Sequence, residues 1–159
     1  MTTGKFFISK RVVIPLILIV FICIPLNAQK IDKIETKKVF KIARDLMMEK
    51  VMVSLERKDI FIIDYDLKAG TIVTEFKKIS RNRMQMYTEM NLLNTEFDIY
   101  RYQVKTMVSE VGQESSVEIR TVLKAYGRPG KYLGARPGWY TLPSNGKLEA
   151  EVMSFIKLK

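Results

Sequence analysis

The chain of 159 residues contains no histidine and a single cysteine, Cys23. The lack of histidine excludes acid–base catalysis by an imidazole and every metal site that needs an imidazole ligand. One cysteine can form neither an internal disulfide nor a thiolate cluster. These absences exclude most familiar classes of enzyme, and we therefore expect no catalytic residues, no metal and no cofactor.

Motifs that bind phosphate or carry a catalytic nucleophile are also missing, since neither GxxxxGK[ST] nor GxSxG occurs. Asp59, Asp64 and Asp66 lie close together in the sequence. However, Tyr65 and Lys68 occupy positions where a calcium-binding loop needs oxygen ligands. We interpret these aspartates as part of a solvated turn.

Residues 1–28 have the pattern of a secretory signal peptide. Lys5, Lys10 and Arg11 precede an apolar run from Val12 to Leu26, and Ala28 supplies a small residue at a cleavage position. The run is shorter than the roughly 20 apolar residues that span a bilayer. We expect cleavage near Ala28 and a periplasmic or secreted product. A retained N-terminal membrane anchor is the alternative.

The remaining residues, 29–159, are predicted to form one domain. Apolar side chains recur every three to four residues in two segments, which predicts helices from Thr36 to about Leu55 and from Ser144 to about Leu158. Between them, β-branched and aromatic residues with turn signals indicate strands. The predicted strands are Asp59–Tyr65, Thr71–Phe76, Arg83–Met90, Phe97–Val111 and Ser116–Tyr126.

The clearest alternation lies in the last of these strands. Apolar or small side chains point one way, namely Val117, Ile119, Thr121, Leu123 and Ala125. The side chains that point the other way are mostly polar, namely Glu118, Arg120, Val122, Lys124 and Tyr126. A half-buried antiparallel sheet produces this pattern, and the two helices are the only available cover. We predict an α+β fold with one antiparallel sheet of about four to five strands and both helices on one face. The predicted core includes Phe40, Met47, Ile72, Val117, Ile119, Leu123, Val152 and Phe155.

Positive charge is concentrated near the end of the chain. Residues 119–148 contain no acidic residue, and the basic residues there are Arg120, Lys124, Arg128, Lys131, Arg136 and Lys147. This stretch provides most of the excess positive charge beyond Ala28. Residues 127–146 also contain every proline and most glycines beyond Ala28, which predicts an irregular loop.

A short pattern recurs within this loop, because Arg128-Pro129-Gly130 is matched by Arg136-Pro137-Gly138 and aromatic residues follow each copy. Arginine suits phosphate and carboxylate groups, and aromatic rings provide rigid contact area. The predicted binding residues are Arg128, Lys131, Tyr132, Arg136, Trp139 and Tyr140. The alternative is a long crossover loop whose aromatic side chains pack against the core.

The order of elements, the turn Asp64–Thr74 and the C-terminal segment Asn145–Glu149 are similar to the small helix-grip domains of bacterial envelope proteins. In particular, the chain resembles the BamC family of outer-membrane assembly lipoproteins. This resemblance implies a helix-grip-like fold and a non-catalytic scaffold role. The chain departs from that family at Cys23, since the large Ile22 stands where lipid attachment requires a small residue.

These observations predict an exported, non-enzymatic envelope protein that acts as a binding or scaffold module. Its partner is expected to be an envelope protein or an anionic envelope polymer or lipid surface. The export signal argues against nucleic acid. A carrier of an apolar small ligand, with a cavity between sheet and helices, is the alternative suggested by the eight methionines beyond Ala28. An enzyme that uses only carboxylates or tyrosine is a third and weaker hypothesis.

Overall fold

The computed structural model describes residues 36–130 and 135–156. These residues belong to one compact unit. The expected signal peptide lies outside the described residues, as do Lys131 and Tyr132 of the predicted binding surface and the end of the predicted C-terminal helix.

The described residues form seven strands and three helices. The strands are β1 (Lys37–Phe40), β2 (Ile62–Asp66), β3 (Thr71–Thr74), β4 (Lys77–Ile79), β5 (Glu96–Val111), β6 (Glu114–Arg128) and β7 (Gly138–Leu142). The helices are α1 (Arg44–Glu56), α2 (Arg81–Tyr87) and α3 (Lys147–Phe155). None of these helices has the length and apolar character needed to cross a bilayer.

All seven strands join one antiparallel sheet, which confirms the predicted α+β class. The long β5–β6 hairpin forms its centre and is paired from Glu96 opposite Arg128 to Val111 opposite Glu114. Strands β1 and β7 share the outer edge of β6, whereas β3 and β4 share the outer edge of β5. The seven strands exceed the predicted four to five because β1, β4 and β7 were not anticipated.

Strand β1 replaces the first turns of the predicted N-terminal helix, so the start of that helix at Thr36 was wrong. Lys37–Phe40 pair with residues 115–118 of β6, and α1 begins only at Arg44. Of these four residues, only Phe40 is buried. The edge of β6 needs a partner for its backbone N–H and C=O groups, and this requirement outweighs the local helical spacing.

A second correction concerns Arg83–Met90, predicted as a strand, where the structure has helix α2. The Ser80 hydroxyl accepts a hydrogen bond from the Arg83 N–H and caps this helix. Met84 and Tyr87, three residues apart, are its buried side chains. The alternating methionines favoured a strand, although Met84 and Tyr87 also have the spacing of a helix and Ser80 is a typical N-cap residue.

The segment 127–146, predicted as an irregular loop, contains strand β7. Gly138–Leu142 pair with residues 123–127 of β6. Gly127 allows β6 to continue, because its φ is +139° and a Cβ there would lie 2.2 Å from the Glu96 carbonyl oxygen. The many glycines and prolines around β7 are tolerated because it is an edge strand.

One hydrophobic core lies between the sheet and the helices. All predicted core residues are buried except Phe155, which is partly buried and packs against the core. Met47, Val51 and Leu55 of α1, together with Leu148 and Val152 of α3, cover the side of the hairpin that carries Val117, Ile119 and Leu123. The alternating pattern therefore predicted the buried side of β6 correctly.

Glu149 of α3 attaches this helix to β6 in the space that β1 and β7 leave free. Its carboxylate accepts hydrogen bonds from the N–H and the hydroxyl of Thr121, the latter at 2.6 Å. The Ser144 hydroxyl also donates to it at 2.9 Å. The predicted start of this helix at Ser144 was therefore wrong, because α3 begins at Lys147 after Gly146 and Ser144 instead binds Glu149.

Candidate functional site

The side of the β5–β6 hairpin opposite the helices carries a different set of side chains, and we call it the open face. Pairing across the hairpin defines its members, because side chains opposite one another point to the same side of a sheet. They are Ile99, Arg101, Gln103, Lys105 and Met107 of β5 and Glu118, Arg120, Val122, Lys124 and Tyr126 of β6. Trp139 and Thr141 of β7 extend this face, since they pair with Tyr126 and Lys124.

Arg101 occupies the centre of an unusual arrangement on the open face. Its guanidinium carbon lies 3.6 Å from the centroid of the Trp139 ring and 4.3 Å from that of the Phe76 ring. Both distances lie within the range of cation–π attraction. The Nε atom of Arg101 is buried and has no hydrogen-bond partner among the described residues. Two aromatic rings, rather than a carboxylate, therefore hold this cation.

Two further side chains complete the group. The Lys124 Nζ atom lies 5.2 Å from the centroid of the Phe76 ring. The Tyr126 ring lies 5.3 Å from the Trp139 ring, centroid to centroid, and is tilted against it by 58°. The cationic–aromatic cluster consists of Phe76, Arg101, Lys124, Tyr126 and Trp139.

The open face is electropositive around this cluster. Of the acidic side chains of β5 and β6 on this side, Glu118 is bound by Arg120 at 2.7 Å, whereas Glu96, 3.9 Å from Arg128, and Glu114 lie at the two ends of the hairpin. Among the described residues, no ion pair involves Arg101, Lys105 or Lys124. Uncompensated positive charge beside aromatic rings suits an anionic partner.

The structure places the sequence-predicted binding residues on different sides of the sheet. Trp139 belongs to the cationic–aromatic cluster and is 43% exposed. Its neighbour Tyr140 packs inward, with its ring 5.7 Å from the Phe97 ring, because neighbouring residues of a strand point to opposite faces. The Tyr140 hydroxyl also donates to the backbone carbonyl of Arg136.

The two predicted arginines are both exposed. Arg128, at the end of β6, lies 3.9 Å from the Glu96 carboxylate. Arg136 precedes β7. Trp139 and Tyr140 point in opposite directions, so they cannot both contribute their rings to one contact surface.

Sequence reasoning missed Phe76 and Arg101 as site residues. The alternation of β6 predicts Lys124 and Tyr126 on its mostly polar side, and the register of the hairpin places Arg101 directly opposite Lys124. The signal was therefore present in the alternation. It was hidden because Trp139 was attributed to a loop rather than to a strand beside Tyr126.

A second polar group lies on the helix side. Tyr87 donates a hydrogen bond to Glu151, and Arg83 binds the same carboxylate at 2.9 Å. Burial raises the pKa of the Tyr87 hydroxyl, and its hydrogen bond to Glu151 raises it further. Burial also raises the pKa of Tyr102, which lines a neighbouring depression of about 430 Å³. Here Arg83 and Glu151 neutralise each other, unlike the cations of the open face.

Within residues 36–130 and 135–156, no group of three acidic, cysteine or histidine side chains lies close enough together to hold a metal ion. Asp66 accepts hydrogen bonds from the N–H groups of Lys68 and Ala69, which is the role of a turn residue.

No family model matches the chain, and no curated protein matches it. A crystal structure of a DUF4468 family protein from Bacteroides ovatus is similar to it, with 14% sequence identity and a TM-score of 0.33. The match covers 66% of this chain and 58% of that one, so the chain spans less than two thirds of that protein. These comparisons do not bear on the resemblance to BamC-type domains, which stays a prediction.

Proposed function

We propose that this protein is an exported, non-enzymatic envelope protein with a helix-grip-like fold that acts as a binding or scaffold module. In this proposal it contacts an anionic envelope partner through the open face. The observation that carries the proposal is Arg101, a cation close to the rings of Phe76 and Trp139 and without a carboxylate partner among the described residues.

The surroundings of Arg101 favour binding for two reasons. Contacts with two aromatic rings restrict the guanidinium, so less side-chain freedom is lost when an anion binds. The N–H groups at the edge of the guanidinium suit a bidentate phosphate or carboxylate. Lys124 lies directly opposite on β6 and adds a second charge.

The sequence-predicted residues extend this surface. We propose that Arg128 and Arg136 add contacts to this surface, while Tyr140 supports β7 from the inner side through Phe97. Lys131 and Tyr132, which lie outside the described residues, stay part of the proposed binding set. The proposal includes cleavage of the signal near Ala28, with a retained membrane anchor as the alternative.

The filled core supports a binding module over a carrier of an apolar ligand. Met47, Met48 and Met84 are fully buried between the helices and the sheet. These methionines therefore serve as packing for the core.

Lysine acetylation in isolated envelopes, followed by mass spectrometry of the full chain, tests the proposed surface. Lys105 and Lys124 are expected to be protected relative to Lys50 and Lys147, which lie on α1 and α3. Protection should disappear in about 1 M salt, where charges are screened beyond roughly 3 Å. This readout is specific to position, so it works whether or not the N-terminal segment is retained.

Arg101→Gln should remove the protection, whereas Arg57→Gln, which removes an exposed arginine at the end of α1, should retain it. Melting curves of both variants serve to detect unfolding. Equal acetylation of the open-face and helix-side lysines in the unaltered protein would refute the proposed function.

A further inference from the structure

We infer that the occupant of the open face is the surface of an anionic phospholipid bilayer, an inference that rests on the proposed function. Charge complementarity alone would suit any anion. The choice of a bilayer follows from the apolar side chains that share this face with the cations.

Large apolar side chains on the open face are exposed next to basic ones. Met107 is 45% exposed, Ile99 39% and Tyr126 37%, in addition to Trp139. A soluble anion or a hydrophilic acidic polymer would leave Met107 and Ile99 without favourable contacts. The interface of a bilayer accepts both kinds of side chain, because aromatic and apolar groups enter the headgroup region while lysine and arginine approach the phosphates.

The layout of the face agrees with an extended partner. The open-face residues of β5 run from Ile99 to Met107 over about 26 Å, with Arg101, Gln103 and Lys105 between these two apolar side chains. The depression on this face is small, about 170 Å³, and lies beside Met107 and Val73. A broad surface with small depressions fits many headgroups better than one deeply held ligand.

The acidic side chains on this side of the sheet lie beside a cation or away from the centre of the open face. Glu96 and Glu114 lie at the two ends of the hairpin, and Glu96 is 3.9 Å from Arg128. Glu118 is already bound by Arg120. Asp64 and Asp66 belong to β2, at the far edge of the sheet and separated by β3 from the β5–β6 hairpin. The centre of the face is therefore basic, and an anionic bilayer attracts each such charge with about 1 kcal/mol.

Trp139 provides a direct measurement, because it is the single tryptophan of the whole chain. The full chain is reconstituted into phosphatidylcholine vesicles with and without phosphatidylglycerol, using lipids with brominated acyl chains that quench tryptophan. We expect a blue shift and strong quenching of Trp139 in the vesicles with phosphatidylglycerol, and little of either without it. The N-terminal segment contains no tryptophan, so its own insertion does not contribute to the signal.

The test variant is Lys105→Gln with Lys124→Gln, and the matched control is Lys50→Gln with Lys147→Gln. Both double variants lose the same net charge, and each pair combines one exposed and one partly exposed lysine. The ratio of docked to undocked protein should fall about fivefold for each open-face charge removed, or about 25-fold for the pair. The control pair should retain quenching. Arg101 is left unchanged, since its stacking on Trp139 would alter the emission directly.

The possible outcomes separate this inference from the proposed function. Unquenched Trp139 in phosphatidylglycerol vesicles, with lysine protection intact in envelopes, overturns the lipid inference and points to an acidic protein or polymer. Loss of both signals overturns both proposals. Equal quenching with and without phosphatidylglycerol, or the same spectral change with inorganic phosphate alone, also overturns the bilayer as the charge-selected partner.

Discussion

Alternate residues of the β5–β6 hairpin face two very different environments. On the covered face, Val104, Val117 and Leu123 are almost fully buried beneath α1 and α3. On the open face, Arg101 and Lys124 lie beside aromatic rings and have no ion pair among the described residues. On the covered face the buried carboxylate of Glu149 accepts three hydrogen bonds. The buried Nε atom of Arg101 on the open face has no partner in the part of the chain that the structure describes, and neither has the Thr106 hydroxyl on the covered face.

This contrast indicates a division of roles within one hairpin. Burial of apolar area on the covered face supplies stability, at roughly 25 cal/mol per Å². The open face contributes less burial, and its cations Arg101, Lys105 and Lys124 have no ion pair among the described residues. Substitutions on the two faces should therefore affect different measurements, and the predictions below test that separation.

The largest expected effect is on the covered face. Leu123→Ala removes a side chain with no exposed surface and should lower the free energy of unfolding by about 2–5 kcal/mol. Met107→Ala, on the open face, should change it by less than about 0.5 kcal/mol. Urea denaturation measures both values. Similar losses for the two variants would mean that the faces do not differ as described.

Glu149→Ala should have the next largest effect. The substitution leaves the Thr121 N–H without its acceptor in the gap between β1 and β7 and frees the Ser144 hydroxyl. Hydrogen bonds to a charged group contribute about 1.5–3 kcal/mol each to stability. We expect a loss of that order for the whole group, measured by denaturation. Hydrogen exchange should be faster at Thr121 than at Val117, and unchanged exchange at Thr121 would contradict the assigned role.

A smaller effect on stability should appear at alkaline pH and involves Tyr87 of α2, on the helix side of the sheet. The folded-state pKa of Tyr87 lies above its ordinary value of 10.0, so the folded protein holds this proton more tightly than the unfolded chain. The stability from this group is complete below pH 10 and decreases as pH rises through the raised pKa. Tyr87→Phe should therefore make the denaturation midpoint less sensitive to pH above 10. An unchanged pH profile in Tyr87→Phe would show that the group does not contribute.

The smallest effect on stability is expected for Arg128→Ala combined with Arg136→Ala. Both side chains are exposed, and the contact between Arg128 and Glu96 is long at 3.9 Å. The free energy of unfolding should change by less than about 0.5 kcal/mol. Protection of Lys124 in envelopes should weaken if these arginines extend the binding surface. Unchanged protection would limit the surface to the cationic–aromatic cluster.

The sequence predicted the structure best where the alternation of side chains within one strand indicates which of its sides is buried. The alternation from Val117 to Tyr126 gave the buried face correctly, and the spacing of Met47 and Val51 gave the buried side of α1. It failed at Lys37–Phe40, whose conformation is set by pairing with β6 rather than by neighbouring residues. The edge strand β7 was missed because flanking glycines and prolines resemble those of a loop.

For the same reason, only part of the candidate site could be predicted from the sequence. Trp139 and the basic character of its surroundings follow from composition. Stacking of Arg101 on Trp139 requires β7 to pair with β6 and β6 with β5. Such registers depend on contacts between residues distant in sequence, which local patterns do not determine.

The two-residue connection at Gly112 and Gln113 has a consequence for the order of folding. Gly112 has a φ of +64°, which suits a tight turn, and joins the two longest strands of the sheet directly. A hairpin of this kind closes in about 1–10 μs, long before distant segments meet. Strand β1 pairs with residues about 78 positions later, as for Lys37 with Glu118 and Phe40 with Ser115, and it has to wait until β6 is in place. The hairpin is therefore expected to act as the folding nucleus, with β1 the last strand to join. In a mutational φ-value analysis of folding rates, substitutions near Val108 and Val117 should give high values and substitutions at Phe40 values close to zero.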